Sequence, residues 1–239
     1  MKREATGEAI GLDMGITATV TTSRGNSLHA PQLLSPGEYQ RKKRLQRKLS
    51  RQVKGFNRRQ ATKVAMAKLL AKEADRRKDW VEKTTTALVR SYDLIFTEDL
   101  KVKNMTRTAK GTVASPGKNV AQNAGLNRSI LEQSWGLFRE RLTDQATNAS
   151  VPVEVIPINP AYTSQRCCTC GYTDKGSRKS QAVFSCLSCG QITNADVHAA
   201  QNIIAAGLAV TGRGGISHAG PTKTKHSDPM KRFTTPKAA

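Results

Sequence analysis

The amino-acid sequence predicts an α/β fold, and three observations lead to this prediction. Apolar and β-branched residues alternate from Ala9 to Thr22, which predicts two strands joined by a turn at Gly15. Short apolar runs within 91–100 and 151–158 predict two further strands, and the segment 28–34 is compatible with an additional one. Residues with helical periodicity lie between these runs, so strands and helices alternate along the chain as they do in α/β proteins.

A long basic region follows the first strands. No acidic residue occurs between Glu38 and Glu73, whereas thirteen lysines and arginines do. Apolar residues at three- and four-residue intervals, such as Leu45 and Leu49, predict basic helices over about 38–90 with a break near Gly55. A solvated helix face usually mixes both signs of charge, and a face of one sign repels itself unless a polyanion neutralises it. The residues predicted to contact nucleic acid are Arg41, Lys42, Lys43, Arg44, Arg47, Lys48, Arg51, Lys54, Arg58 and Arg59.

The later part of the chain contains a polar stretch, two helical segments and a tail. The glycine-containing stretch 101–128 predicts a loop, and the apolar residues of 129–148 recur with the period of a helix. A second helical run extends from Ala199 to Leu208. Residues 210–239 are rich in Gly, Pro, Lys and Thr without periodicity, and they predict a disordered basic tail.

Composition limits the class of protein. A chain of 239 residues with a formal net charge of +21 is typical of a protein that binds a polyanion, and nucleic acid is the first candidate. A membrane surface is the second candidate, but no basic face is paired with a rich apolar face. No apolar stretch approaches the roughly 20 residues that span a bilayer, and the N-terminus lacks the apolar region of a signal peptide. We therefore expect a soluble, cytoplasmic protein with no membrane partner.

Four of the five cysteines form two Cys-x-x-Cys pairs, and fifteen residues separate the pairs. In a reducing compartment this spacing predicts a tetrahedral zinc site rather than disulfides, because two thiolates from one tight turn can bind the same ion. The expected ligands are Cys167, Cys170, Cys186 and Cys189. Cys168 is left outside the site, since adjacent cysteines rarely both bind one ion.

Three acids interrupt otherwise apolar patterns: Asp13 in the first strand, Glu98 at the end of the 91–100 strand, and Asp196 at the start of the last helical run. Taken singly, Glu98 is also compatible with a solvated strand end and Asp196 with a helix N-cap. Together, in a chain that binds nucleic acid, they predict a carboxylate cage for Mg²⁺, which prefers oxygen ligands and also binds phosphate. In a two-ion site, Asp13 would bridge both ions, Glu98 would hold one and Asp196 the other.

Four segments carry a family resemblance. They are Gly11-Leu-Asp13-Met-Gly15, Asp93-Leu-Ile-Phe-Thr-Glu98-Asp99-Leu100, Pro160-Ala-Tyr-Thr-Ser-Gln165-x-Cys167-x-x-Cys170-Gly and Ala195-Asp196-Val-His-Ala-Ala-Gln-Asn-Ile. In this order they resemble the successive motifs of the TnpB (OrfB) family of transposon-encoded RNA-guided endonucleases, which is related to the type V CRISPR effectors. The match covers roughly Ala9 to Ala206.

The resemblance implies an RNase H-like (RuvC-type) fold, with a mixed sheet flanked by helices and a zinc ribbon inserted before the last acid. It implies a nuclease core over 1–166, the ribbon over 167–190, and the last catalytic motif with its helix over 191–209. It also implies that the three acids catalyse Mg²⁺-dependent cleavage of DNA, and that a guide RNA selects the target by base pairing. The cofactors are then structural Zn²⁺ and catalytic Mg²⁺, and the partners are DNA and guide RNA.

Two features depart from the family pattern. The strict form of the last motif has a second acid two residues before the catalytic one, an arginine between them and an asparagine two residues after, where this chain has Asn194, Ala195 and His198. We expect His198 to be an ordinary helix residue, with an indirect contact to the metal as the alternative. Only eight residues precede Ala9, where the family carries a lobe that binds guide RNA and the target-adjacent motif. The chain is therefore expected to correspond to the C-terminal nuclease half.

Three functional hypotheses follow from the sequence. The first is a metal-dependent DNA endonuclease of a transposable element. The second is a non-catalytic nucleic-acid-binding remnant or regulator, and the third is a guide-independent, resolvase-like nuclease. The acids favour a nuclease, because a protein that only binds has no need for a carboxylate such as Glu98 at the end of an apolar strand.

Overall fold

The computed structural model describes residues 2–212, which form two compact units. One unit comprises the residues up to His29 and those from Thr84 onward, and the other comprises Ala30–Lys83. No helix within the described residues is long and apolar enough to cross a membrane. The tail predicted over 210–239 lies outside the described residues from 213 onward. The predicted start of this tail at residue 210 is wrong, because Val210 is the last residue of a helix.

The first unit is built on a five-stranded mixed sheet, which confirms the predicted α/β class. The strands are β1 (Ala9–Asp13), β2 (Val20–Thr22), β3 (Ser27–Leu28), β4 (Leu94–Glu98) and β5 (Glu154–Ile158). Their order is β3-β2-β1-β4-β5, with β2 antiparallel to both β1 and β3, and with β1, β4 and β5 mutually parallel. The strand considered for 28–34 is mostly absent, since β3 ends at Leu28.

Six helices and a small hairpin complete the described fold. The helices are α1 (Pro36–Arg51), α2 (Asn57–Ser91), α3 (Val102–Met105), α4 (Val120–Gln133), α5 (Trp135–Thr147) and α6 (Ala195–Val210). The hairpin consists of β6 (Val183–Ser185) and β7 (Ile192–Asn194), and it lies between the strands of the sheet and α6 in the chain. The predicted basic helices and the break between them are confirmed by α1 and α2.

Two predictions between β4 and β5 are wrong. The stretch 101–128 is not simply a loop, because α4 begins at Val120. Ile130 is the one buried residue of α4, so its sequence shows no apolar stripe. The helix predicted over 129–148 is interrupted at Ser134, whose φ of 56° is left-handed. Neither glycine nor proline marks that break, and sequence therefore could not locate it.

Helix α6 packs directly on the backbone of the sheet. A Cβ atom added to Gly11 of β1 would lie 2.3 Å from the Ala200 carbonyl oxygen, and one added to Gly207 of α6 would lie 2.1 Å from the Phe96 ring of β4. Gly11 and Phe96 are register partners, so the α6-facing side of both strands is fixed by these two contacts. The core on this side also contains Leu208, which is buried in the same cluster as Ala9 and Leu94 at the start of β1 and β4.

The second unit is a hairpin of α1 and the first part of α2, which we call the basic hairpin (Ala30–Lys83). Ser35 and Glu38 form a capping box at the start of α1. Glu38 also accepts hydrogen bonds from Lys72 and, at 2.7 Å, from Arg76, and these contacts hold the pKa of Glu38 well below its usual range. One helical turn later Lys42 pairs with Glu73 at 2.6 Å. No residue of α1 is fully buried, and these ion pairs join it to α2.

We expect Gly11→Ala to destabilise the first unit by about 1–3 kcal/mol, because the added methyl group would push α6 away from β1. Chemical denaturation monitored by circular dichroism would measure the change. Gly125→Ala is the matched control, since a Cβ there meets no atom within 4 Å. Alanine within helix α4 should leave stability unchanged or raise it by up to about 1 kcal/mol. Equal effects of the two substitutions would contradict the close packing of α6.

Candidate active site

Asp13 and Glu98 lie side by side at the carboxyl ends of two parallel strands. Leu12 and Thr97 are register partners, so Asp13 and Glu98 form the next pair along β1 and β4. Neighbouring strands are about 4.8 Å apart, and register partners point to the same side of the sheet. That side is the one covered by α6, because Gly11 and Phe96, two residues earlier on each strand, face it.

Asp196 comes to the same place from the first turn of α6. Ala200 lies over Gly11, and Leu208 joins the core near the start of β1, so α6 runs back along the strand. Asp196 precedes Ala200 by four helical residues, about 6 Å, and Asp13 follows Gly11 by two strand residues, about 6.6 Å. The two displacements match. Helix geometry therefore brings the third acid to the strand ends.

The N-cap of α6 is Asn194, not Asp196. The Asn194 side-chain oxygen accepts hydrogen bonds from the backbone amides of Asp196 and Val197, at 3.0 and 3.1 Å. The interpretation of Asp196 as an N-cap is therefore wrong, and its carboxylate is available for other contacts. Asn194, one of the three positions that depart from the family's strict motif, is thus the residue that caps the helix.

The three carboxylates interact electrostatically. Burial, together with the negative charges of Glu98 and Asp196, raises the pKa of Asp13 to about 8, against a smaller opposing effect of Arg178. Burial also raises the pKa of Glu98. The oxygens of the three acids do not converge as tightly as the cysteine sulfurs, which form the one compact set of metal-ligand side chains in the described part of the chain. The site is thus a group of neighbouring, partly desolvated carboxylates.

The buried Glu98 carboxylate is positioned by two donors. The Thr163 hydroxyl lies 3.1 Å from Glu98 Oε1, and the backbone amide of Met14 donates a second hydrogen bond. The neighbouring Asp99 points elsewhere: it pairs with Arg139 of α5 at 3.1 Å, and hydrogen bonds from Lys101 lower the pKa of Asp99. The structure therefore separates the two consecutive acids, and the interpretation of Glu98 as a solvated strand end is wrong.

Arg178 is a charged member of this site that the sequence did not single out. Its Nη2 lies 3.4 Å from Asp196 Oδ1 and 3.3 Å from the carbonyl oxygen of Gln181. It follows a short 3-10 turn, Lys175–Ser177, between the two cysteine pairs. Burial raises the pKa of both Asp13 and Glu98, and the charge of Arg178 partly offsets that rise. No sequence pattern distinguishes Arg178 from the many other basic residues, so only the fold identifies it.

The four predicted cysteines form one cluster, with their sulfur atoms all within 4.8 Å of one another. The pairs cross between the two motifs: Cys167 and Cys189 sulfurs are 3.7 Å apart, and Cys170 and Cys186 sulfurs are 3.6 Å apart. This arrangement suits a single ion at the centre and can hold a metal. Cys168 is exposed and lies outside the cluster, as predicted.

Each cysteine pair sits on the same kind of turn. The amide of Gly171 donates to the Cys167 carbonyl at 2.9 Å, and that of Gly190 donates to the Cys186 carbonyl at 3.1 Å. Both glycines have positive φ, 76° and 73°, which lets the chain reverse directly after the second cysteine. The Cys189 amide donates to the Cys186 sulfur at 3.5 Å and lowers the pKa of that thiol to about 6, which favours the thiolate that metals bind.

His198 and Asn202 attach the cysteine cluster to α6. The fully buried His198 ring stacks on Phe184 of β6, with centroids 3.7 Å apart, and its Nε2 accepts a hydrogen bond from the Cys168 amide at 3.1 Å. Burial lowers the pKa of His198 to about 4, so the ring is neutral and can accept. Asn202 donates to the Thr163 and Arg166 carbonyls. The prediction of His198 as an ordinary helix residue is wrong, because it joins two elements.

The ten predicted nucleic-acid contacts all lie in the basic hairpin, but they are not equivalent. Lys42 is engaged with Glu73, and Lys43 lies 4.5 Å from the centre of the Tyr39 ring. Arg59 donates to the carbonyls of Leu49 and Gln52, so its guanidinium serves the turn between the helices. The remaining seven have no ion-pair partner among residues 2–212. They are Arg41, Arg44, Arg47, Lys48, Arg51, Lys54 and Arg58.

Two family models match the chain. The OrfB_IS605 model, described as a probable transposase, matches residues 1–109, and the Cas12f1-like TNB domain matches residues 135–203. The first interval contains Asp13 and Glu98, and the second contains the cysteine cluster and Asp196. Over 211 residues the chain is 42% identical to "Putative RNA-guided DNA endonuclease InsQ" of Escherichia coli (strain K12). The aligned region covers 88% of this chain and 52% of the relative. The chain belongs to the TnpB (OrfB) family.

A second family member, "Putative RNA-guided DNA endonuclease" of Streptomyces pristinaespiralis, is 32% identical over 211 residues, covering 88% of this chain and 48% of the relative. The chain thus spans about half the length of the curated TnpB-family relatives it matches. Among solved structures, a Cas12f1-sgRNA-target DNA complex is similar with a TM-score of 0.44 and 19% identity, over 82% of this chain and 49% of that one.

Proposed function

We propose that the first unit is a Mg²⁺-dependent endonuclease centre of a transposable element, in which Asp13, Glu98 and Asp196 are the catalytic residues. The observation that carries this proposal is the placement of three carboxylates at one edge of a sheet, two at the ends of neighbouring parallel strands and one on the helix that packs on them. Such a site is costly for folding, because each charge disfavours ionisation of the others. Groups of this kind are therefore concentrated at functional sites. A binding-only protein would gain nothing from it.

The chemistry of the donor set fits Mg²⁺. Carboxylate oxygens are the ligands that this ion prefers, and two positive charges would relieve the mutual repulsion of the acids. Asp13 interacts electrostatically with both of the other acids and would contact both ions of a pair, with Glu98 holding one and Asp196 the other. When bound, such ions would activate a water and stabilise the leaving oxygen of a phosphodiester. The Thr163 hydroxyl and the Met14 amide keep the Glu98 carboxylate oriented.

We assign the first unit to the RNase H-like (RuvC-type) class. Three antiparallel strands followed by two parallel ones, in the order β3-β2-β1-β4-β5, support this assignment. The location of the acids supports it too, since two of them end the central parallel strands. We also propose that the ion held by the four cysteines is Zn²⁺, which matches four thiolates in tetrahedral geometry. Its role is structural, because it fixes the segment that carries Arg178 and leads into Asp196.

We further propose DNA as substrate and guide RNA as partner. The relatives named as RNA-guided DNA endonucleases support this, and so does the one-signed face of the basic hairpin. Because the chain spans about half of those relatives, guidance is a separate question from cleavage. Sequencing of RNA that co-purifies with the protein addresses it: RNA of defined sequence supports guidance, whereas structure-selective cutting without RNA supports a guide-independent nuclease.

Glu98 and Asp99 provide a matched pair for testing the centre. With labelled single-stranded DNA and Mg²⁺, we expect Glu98→Gln to abolish cleavage and Asp99→Asn to retain it, because Asp99 is directed to Arg139 instead. Isothermal titration with Mg²⁺ provides a readout that does not require turnover: Glu98→Gln should lose binding that Asp99→Asn keeps. Equal Mg²⁺ binding by both variants would contradict the proposed centre.

Arg178→Gln is expected to strengthen Mg²⁺ binding roughly tenfold, because the substitution removes a cation from beside the carboxylates. Titration calorimetry would measure the change, with Lys179→Gln as a control that removes one charge from the same segment. Lys179→Gln should leave the Mg²⁺ affinity nearly unchanged, since Lys179 is not among the charges that shift the pKa of Asp13 or Glu98. Weaker binding in Arg178→Gln would instead mean that the arginine is needed to position Asp196.

A further inference from the structure

A cavity of about 850 Å³ lies at the turn of the basic hairpin. Its lining contains no acidic residue, and six of the residues are cations from the end of α1 and the start of α2. They are Arg44, Arg47, Lys48, Arg51, Arg58 and Arg59. The volume falls within the range of small-ligand sites and is large enough for a nucleotide with its flanking phosphates.

Four of these cations form one face of α1. Arg44, Arg47, Lys48 and Arg51 are spaced i, i+3, i+4 and i+7, so they project to the same side of the helix. None of them has an ion-pair partner in the described part of the chain. The other side of α1 carries the paired residues, such as Lys42. Ion pairs with α2 thus occur on the side of α1 that carries Lys42, and the described residues provide none on the side that lines the cavity.

The cavity also presents an exposed aromatic ring. Phe56 is 66% exposed and Val53 is 68% exposed, although both are large apolar residues. The backbone that carries the ring is ordered, since the Phe56 carbonyl accepts hydrogen bonds from the amides of Arg59 and Gln60 at 3.0 and 3.2 Å. Arg59 in turn donates to the Gln52 carbonyl at 2.7 Å, which ties the end of α1 to the start of α2. An exposed aromatic ring on an ordered turn, surrounded by cations, is the combination that holds an unstacked base and its phosphates.

We propose that this cavity binds one unpaired nucleotide of an RNA strand, with the base on Phe56 and the flanking phosphates on the cationic face of α1. RNA loops and bulges present unstacked bases, whereas a base in duplex DNA must first be unpaired. Gln52 also lines the cavity, and its buried side-chain oxygen has no hydrogen-bond partner among the described residues. A ribose 2′-hydroxyl is a donor that DNA lacks. The inference rests on the proposed nucleic-acid role of the basic hairpin and is independent of the nuclease centre.

The test uses the full chain with Asp13→Asn, so that cleavage cannot interfere. The probe is an RNA hairpin with a single 2-aminopurine bulge, and its affinity and fluorescence are measured across a salt series. Adding Phe56→Ala should weaken binding about 5- to 100-fold and abolish the fluorescence change, because base stacking is lost. The salt slope should stay the same, since no charge is removed. Phe56→Tyr should retain binding, and Leu70→Ala, another exposed apolar residue of the hairpin, should change nothing.

The outcomes are distinguishable. Unchanged binding in Phe56→Ala overturns the nucleotide site, even if salt-dependent binding to the hairpin persists. Equal, Phe56-dependent binding of a DNA hairpin with the same bulge overturns the preference for RNA. Competition by polyglutamate as strong as that by RNA overturns a nucleic-acid occupant in favour of an acidic peptide. Absence of any salt-dependent binding would contradict the proposed role of the basic hairpin itself, and this inference with it.

Discussion

Asp13→Asn is expected to reduce Mg²⁺-dependent cleavage by about 10³-fold and, in the absence of Mg²⁺, to make the protein more stable. The loss of activity follows from losing several kcal/mol of metal-mediated stabilisation, at 1.36 kcal/mol for each factor of ten. The gain in stability follows from removing a buried carboxylate whose ionisation is opposed by burial, by Glu98 and by Asp196. A substitution at an ordinary structural residue would not move the two quantities in opposite directions.

The gain should depend on pH in a defined sense. The pKa of Asp13 is about 8 in the folded protein and near 3.8 when unfolded, so the folded state binds the proton more tightly. The stability that protonated Asp13 contributes to the parent chain is therefore fully present below about pH 4 and is lost as the pH rises toward 8. Asparagine cannot ionise, so the two melting temperatures should agree near pH 4, diverge progressively between about pH 4 and 8, and differ by a constant amount above pH 8. Differential scanning calorimetry from pH 4 to 9 measures this.

The same series with Mg²⁺ provides the control. Mg²⁺ should raise the melting temperature of the parent chain at high pH and leave that of Asp13→Asn nearly unchanged, because ligand binding stabilises only a protein that binds the ligand. Asp99→Asn should behave like the parent chain in both buffers. A melting temperature for Asp13→Asn that lies below the parent value at pH 8 without Mg²⁺ would contradict the electrostatic interpretation of the site.

Cys186→Ser is expected to remove the bound metal, lower the melting temperature and abolish cleavage, although no cysteine belongs to the carboxylate site. Binding of Zn²⁺ by four thiolates supplies about 10–16 kcal/mol in small domains, and much of this is lost with one ligand. The cysteine cluster positions Arg178, and through Cys168, Phe184 and His198 it is fixed to α6. Loss of the ion should therefore displace Asp196 from the strand ends.

Metal content by mass spectrometry, melting temperature and cleavage rate measure these effects together. Cys168→Ser is the matched control, because its exposed thiol lies outside the cluster and only its backbone amide contacts His198. It should keep the metal, the stability and the activity. A full equivalent of zinc retained in Cys186→Ser would refute the four-cysteine site. Loss of zinc with cleavage intact would show that the ion does not support the position of Asp196.

Sequence was most informative where spacing alone implies chemistry. Two Cys-x-x-Cys pairs define a metal site in any fold that brings the pairs together, and the structure does so. The basic hairpin was also predictable, because helical periodicity and a charge run are local properties. Sequence failed where packing decides the outcome. Helix α4 is largely exposed and has no apolar stripe, and the break at Ser134 is a left-handed residue without glycine.

The sequence by itself determined the ligand types: three carboxylates that interrupt apolar patterns, four paired cysteines, and a one-signed basic face. The tertiary structure alone decided which of these groups meet and which do not. Asp13 and Glu98 are 85 positions apart in the chain but neighbours in the sheet because β1 and β4 pair in parallel. Asp196 joins them because Gly11 admits the backbone of α6. Arg178 and His198 gained roles only through such long-range contacts, which no local pattern encodes.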